Sequence, residues 1–254
     1  LDVEGAKGEC NFGQHEIGFL YADALTTCDN HSVYKTVAKE IAAQQGKSLT
    51  FMAKFNQREG SSCHIHLSLR DEDGSLVFWD REAGRATPLY DSFVAGVLAT
   101  AADFTLLYAP TINSYKRFAA GSFAPTAIAW GHDNRTCAVR LVGKGAGARM
   151  ENRIPGADVN PYLATAAMLA GGLHGIEQGL ELEPELVGNA YDSDKPHVPT
   201  TMAAARDRFA SSTVARACFG DEVVDHYVNM ADVELAAYGA AVTDWELERG
   251  FERL

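Results

Sequence analysis

Glu59-Gly60-Ser61-Ser62-Cys63-His64-Ile65-His66-Leu67-Ser68-Leu69-Arg70 is the stretch on which the fold turns. Glu59-Gly60-Ser61-Ser62 is turn-forming, and residues 63–70 alternate as a strand does, which puts His64, His66 and Ser68 on one face. A second strand is expected at 49–54, before the turn, and residues 71–74 read as a hairpin-type turn after it. Toward the N-terminus, residues 1–24 suggest a strand with a turn. Residues 30–45 carry Val33, Val37, Ala38 and Ile41 at helical spacing and stop at Gly46; Val33, Val37 and Ile41, with Phe93, Val97 and Leu98 further on, are assigned to the core. Toward the C-terminus, an apolar helix spans 88–108 and ends before Pro110. Strands at 127–130 and 137–142 flank the turn 131–134, a Gly-rich loop covers 144–148, and a strand covers 149–154. A buried Ala-rich helix spans 161–179, an irregular Pro-containing loop covers 184–200, and the rest from Thr201 is helical. A strand-rich centre flanked by helices is an α+β architecture.

The chain has 254 residues, 46 % of them apolar and 22 % charged, with a net charge of −12. That size fits one large domain or two small ones. Nucleic acid is not an expected partner, because phosphate tracking needs clustered Lys and Arg and no basic run is present. The Arg residues that do cluster lie between Arg117 and Arg153 and read as a local anion site. The five cysteines are odd in number, widely spaced and free of any Cys-x-x-Cys. A disulfide framework or zinc finger is therefore disfavoured and a reducing cytoplasm is expected. Cys63 and Cys137 read as small buried hydrophobes. No run is long enough for a membrane helix, and no signal peptide is read. The opening Leu1-Asp2-Val3-Glu4, strand-like and without an initiator Met, reads as part of a longer protein.

Three constellations carry chemistry. Glu9 and Glu16 flank a turn at Gly13, which could return both carboxylates to one face; paired carboxylates suit a hard cation, and two surface acids are the plain alternative. His64 and His66 share a strand face and could ligate a metal or meet a phosphate, or be one core and one surface histidine. Arg117, Arg135, Arg140, Arg149 and Arg153 form a series in which Arg149, Glu151 and Arg153 alternate along one strand. Glu151 must then pair with the guanidiniums or hold a metal. Residues 143–147 lack the Gly-Lys-Ser/Thr ending of a P-loop.

Taken together, several of these words in order resemble the glutamine synthetase family. They are Glu9 with Gly13-Gln14-His15-Glu16, Gly60 through Ser68, Asn113-Ser114-Tyr115-Lys116-Arg117, Ala124-Pro125, Asn134-Arg135, Arg149-x-Glu151-x-Arg153 and Asn160-Pro161-Tyr162. The resemblance runs from near Glu9 to about Leu180 and more loosely to the C-terminus. It implies one catalytic domain over 1–254, built on a curved, mainly antiparallel sheet with helices outside. The small N-terminal domain and the first metal-binding strand of the family are absent from this stretch, so the chain alone is expected to bind metal poorly and turn over little. By position Glu9 and Glu16 match the ligands of one Mg²⁺ or Mn²⁺, and His64 and Glu151 those of another on the phosphates of ATP. His66 and Ser68 match nucleotide contacts. Gly60, Arg117 and Arg153 match glutamate contacts, and Arg135, Arg140 and Arg149 match a phosphate clamp. Full-length members are double-ring homo-oligomers.

The implied chemistry phosphorylates the γ-carboxylate of glutamate and lets an amine displace the phosphate, with cations offsetting the charge of the moving phosphoryl group. The chain departs from the family pattern at the glutamate flap. Phe123 replaces the Glu that attracts ammonium, so an organic amine, which an aromatic ring can pack against, is expected in place of ammonium. Glu59 stands where an Asn is usual, and Ser62 where a Gly is. An authentic glutamine synthetase using ammonium, and a non-catalytic ring protein, are the alternatives. Tyr191, near a position adenylylated in some relatives, reads as an ordinary loop tyrosine.

Overall fold

A computed structural model describes residues 1–119, 121–122 and 124–253. The chain opens with an antiparallel hairpin, β1 (Val3–Gly8) and β2 (His15–Phe19), then a long helix, α1 (Ala24–Gln44). Strand β3 (Ile65–Leu67) follows, then the small pair β4 (Trp79–Asp80) and β5 (Arg85–Ala86). Helix α2 (Pro88–Thr100) leads through α3 (Thr105–Tyr108) and α4 (Ile112–Tyr115) to β6 (Trp130–His132), β7 (Val139–Val142) and β8 (Arg149–Asn152). Helices α5 (Pro161–Glu177), α6 (Met202–Ser211), α7 (Thr213–Phe219), α8 (Asp221–Ala240) and α9 (Asp244–Gly250) complete the chain.

The central sheet has the order β3-β8-β7-β6. β3 and β7 both pair antiparallel with β8, so the mainly antiparallel sheet expected from the sequence is present. The outer strand differs from expectation. β6 runs parallel to β7, so residues 131–134 do not close a hairpin, and the segment 127–130 contributes only Trp130 to the sheet. Residues 49–54 are not a strand either. Their backbone is satisfied by a side chain: Lys54 N–H donates to Asn113 Oδ1 at 2.9 Å, and Asn113 Nδ2 donates to the Lys54 carbonyl at 2.7 Å. An asparagine thus does the work of a neighbouring strand.

Helices α2 and α5 form the scaffold behind the sheet. Each starts on a side-chain cap followed by Pro at the first helical position, Thr87-Pro88 and Asn160-Pro161. They touch backbone to backbone. A Cβ on Gly96 would meet the Gly171 carbonyl oxygen at 2.1 Å and the Gly175 Cα at 2.6 Å, and one on Gly172 would strike the Phe93 ring. The expected single helix over 88–108 breaks between α2 and α3; both pieces are buried, so apolar periodicity carries no mark of the break.

One core assignment is overturned. Val33, Val37 and Ile41 are 53 %, 41 % and 53 % exposed, and Cys28 is the only buried residue of α1 among those described. Periodicity shows that a helix has an apolar stripe, not that the same chain covers it. No helix among the described residues is long and apolar enough to cross a membrane.

Candidate active site

The alternation on β8 places Glu151 and Arg149 on one sheet face while Met150 is fully buried on the other. Glu151 is the hub. Arg153 Nη1 lies 2.6 Å from its Oε1, Arg140 Nη1 lies 3.0 Å from its Oε2, and His64 Nδ1 lies 3.2 Å from Oε1. His66 Nε2 is more distant, at 3.9 Å. The register explains the gathering, because Glu151 faces His66 on β3 and Arg140 on β7. Arg140 also forks onto Asp133 Oδ1 at 2.7 Å. Arg149 Nε donates to His66 Nδ1 at 3.1 Å.

Burial drives the Glu151 carboxyl upward, but His64, Arg153, His66 and the hydrogen bond from Arg140 outweigh it and hold the group below the usual carboxylate range. It is an anion at neutral pH. Burial, reinforced by the Arg153 charge, pushes His64 down to about 3, so its imidazole is neutral. With Nδ1 beside the carboxylate, Nδ1 carries the proton and donates it. Nε2 is then a bare acceptor, and it is buried without a hydrogen-bond partner among the described residues. That is the state a histidine ligand needs.

Arg117 is 1 % exposed. Its Nη1 donates to Ser62 Oγ at 2.9 Å, and its Nη2 donates to the Ile154 carbonyl. Burial pulls it down to about 10, still far above neutrality, so the cation persists. Gly60 covers its stem: a Cβ there would meet Arg117 Cγ at 2.6 Å and the Ala53 carbonyl oxygen at 2.7 Å. The Gly60 carbonyl in turn accepts from Gln14 Nε2 at 2.9 Å, and the Glu59 carbonyl accepts from Asn11 Nδ2 at 2.8 Å. The turn between Glu9 and Glu16 is therefore clamped onto the segment that carries Gly60 and His64. Glu9 also lies within electrostatic reach of Arg135, whose carbonyl accepts from Arg153 Nε at 3.2 Å.

Glu9 and Glu16 do converge. Lys7 Nζ stands between them, 3.0 Å from one carboxylate and 3.1 Å from the other. The ammonium is a tethered cation at the carboxylate pair, and paired carboxylates are oxygen donors that fit a hard divalent ion; the bare His64 Nε2 is a separate donor beside Glu151. No cluster of three or more His, Cys, Asp or Glu ligands occurs among the described residues, so each group is an incomplete shell.

Ser68 is exposed, and Arg135 is exposed at the site's edge. Phe123 lies outside the described residues. Lys7, Asp133 and the anchoring role of Ser62 escaped the sequence reading. Lys7 had a signal, since it lies two residues before Glu9 on a strand. Asp133 had none, because its turn geometry (φ 49°) is set by the sheet. A concavity of about 640 Å³ lined by Lys35, Lys39, Asp158 and Tyr162 includes none of the predicted site residues.

A family model described as the catalytic domain of glutamine synthetase matches residues 1–250. The gamma-glutamylethanolamide synthetase of Streptomyces coelicolor is 64 % identical over 254 residues, covering 100 % of this chain and 54 % of its own length. The glutamate–isopropylamine ligase of a Pseudomonas species is 42 % identical, covering 97 % of this chain and 55 % of its own. A solved structure of GmaS with ADP superposes with a TM-score of 0.90 at 30 % identity, over 98 % of this chain and 60 % of that one. The chain spans about half the length of the curated relatives it matches.

Proposed function

The chain belongs to the glutamine synthetase family, as its catalytic domain, and from that premise we propose that the full-length protein is an ATP-dependent ligase joining an organic amine to the γ-carboxylate of glutamate. The observation that carries this reading is the convergence of Arg140, Arg153 and the neutral His64 on the buried anion Glu151. Two guanidiniums and a bare imidazole nitrogen at one place suit a polyphosphate, its metal and a migrating phosphoryl group.

The roles follow from position. Arg140 is already forked between Glu151 and Asp133, so its plane is fixed before a phosphate arrives. Arg153, pinned by Glu151 and the Arg135 carbonyl, and Arg117, anchored by Ser62, supply fixed cations for carboxylate groups of the acid substrate. Gly60 offers backbone without a side chain beside them. Arg135 and Arg149 extend the positive rim toward the nucleotide, with His66 held by Arg149 and Ser68 next on its face. Glu9, Glu16, His64 and Glu151 would hold Mg²⁺ or Mn²⁺, which, when bound, neutralises the phosphates and polarises the transferring group. Preorganised cations of this kind need no rearrangement as charge develops.

Amine choice rests on Phe123. An aromatic ring in place of a carboxylate removes a small-cation site and offers a packing surface for carbon. The relatives that act on ethanolamine and isopropylamine, by their names, support an organic amine over ammonium. Ring assembly of the full-length protein belongs to the same proposal. Phosphate release by the full-length protein with glutamate, ATP and a panel of amines tests it. Turnover with one or more organic amines is expected. Turnover with ammonium alone rejects it, and Phe123→Glu should raise ammonium use.

A further inference from the structure

Lys7 is a cation with two carboxylate neighbours and a fixed route to both. It lies two residues before Glu9, and it is the direct cross-strand partner of Glu16 in the β1–β2 register. Its Nζ is 3.0 Å from Glu9 Oε1 and 3.1 Å from Glu16 Oε2. Gly13, at φ 67°, makes the turn that brings the second carboxylate back. Asn11 and Gln14 hold that turn against Asn56 and residues 59–61, which fixes the backbone from which the two carboxylates project.

We propose that Lys7 is a tethered competitor of the divalent cation at Glu9 and Glu16: its ammonium keeps the carboxylates converged when no metal is bound, and it must leave when one arrives. The inference rests on the reading of Glu9 and Glu16 as metal ligands. An ammonium and a divalent ion cannot share the pair. A metal takes oxygen at about 2.0–2.6 Å on the same lone pairs, and two cations side by side repel. The ammonium is covalently held, so its effective concentration is high, but it is monovalent and part-exposed. The metal therefore wins, at an affinity lowered by the cost of displacing Lys7. Removing the ammonium should tighten binding by about three- to tenfold at low ionic strength, less at high salt, because exposed pairs are weak and screened.

The test is titration of the full-length protein with Mn²⁺ alone, counting free ion by electron paramagnetic resonance at low and high salt. Lys7→Met, Lys7→Arg and Glu9→Gln are compared, each checked for folding by circular dichroism. Lys7→Met should tighten the site that Glu9→Gln removes, and Lys7→Arg, which keeps the charge and can fork onto both carboxylates, should not tighten it. Unchanged or weaker binding in Lys7→Met, at a site still lost in Glu9→Gln, overturns the competition. If Glu9→Gln leaves every Mn²⁺ site intact in both backgrounds, the ligand reading fails, and the inference with it.

Discussion

His64 Nδ1 sits 3.2 Å from Glu151 Oε1, and this contact decides which nitrogen of the ring is free. The carboxylate accepts a hydrogen bond from Nδ1–H, and the buried Nε2 keeps a lone pair with no partner among the described residues. His64→Phe keeps the ring volume and deletes the lone pair. Affinity of the full-length protein for Mn²⁺ with ATP should fall by about tenfold or more. Calorimetry showing unchanged binding would remove His64 from the metal set.

Glu151 is 2 % exposed and compensates two guanidiniums. Glu151→Ala leaves Arg153 buried with its main counter-charge gone, and should cost about 3–5 kcal/mol. Urea unfolding measures it. A loss under 1 kcal/mol would mean that water reaches the hub freely.

Gly60 has no room for a methyl group. Gly60→Ala must displace either the Arg117 stem or the Ala53 carbonyl, and only the first can move. We expect a cost of about 1–3 kcal/mol. Arg117 should also lose its register with Ser62, raising KM for the acid substrate more than KM for ATP. Equal effects on both would show that Arg117 does not act on the acid.

His31 gives a pH dependence away from the site. Burial, with the Lys35 charge beside it, pushes its imidazole from 6.5 down to about 4. Above 6.5 both folded and unfolded forms are neutral there, and His31 contributes no slope. Between 6.5 and about 4 the unfolded chain takes a proton that the folded one refuses. Stability therefore decreases as the pH is lowered from 6.5 to about 4, by at most about 1.4 kcal/mol per unit. His31→Gln should flatten this part of the curve in denaturation series at stepped pH; an unchanged slope would refute the assignment.

Much of the site was legible because strand alternation is local. Spacing alone puts His64 and His66, and Arg149, Glu151 and Arg153, on common faces, and His64, His66 and Arg153 all meet Glu151. Fold class and sheet character were readable for the same reason, since β3, β7 and β8 each announce themselves within a few residues. Other features were not. Whether Glu151 would be a ligand or an ion-pair hub depended on Arg140, which lies on a different strand. The parallel pairing of β6 with β7 depends on a connection that no local pattern encodes. The stripe of Val33, Val37 and Ile41 is apolar by spacing, yet whether anything covers it is not a local property, and it stands exposed on this chain.

The sequence by itself determined which residues carry charge, which faces alternate and which family the chain joins, because those are properties of type and spacing. Only the tertiary structure decided who neutralises whom. Lys7 between Glu9 and Glu16, His64 against Glu151 and Arg117 beneath Gly60 are contacts between charged or polar groups brought together by packing. A Coulomb interaction depends on distance and burial, and neither is written in the order of the residues.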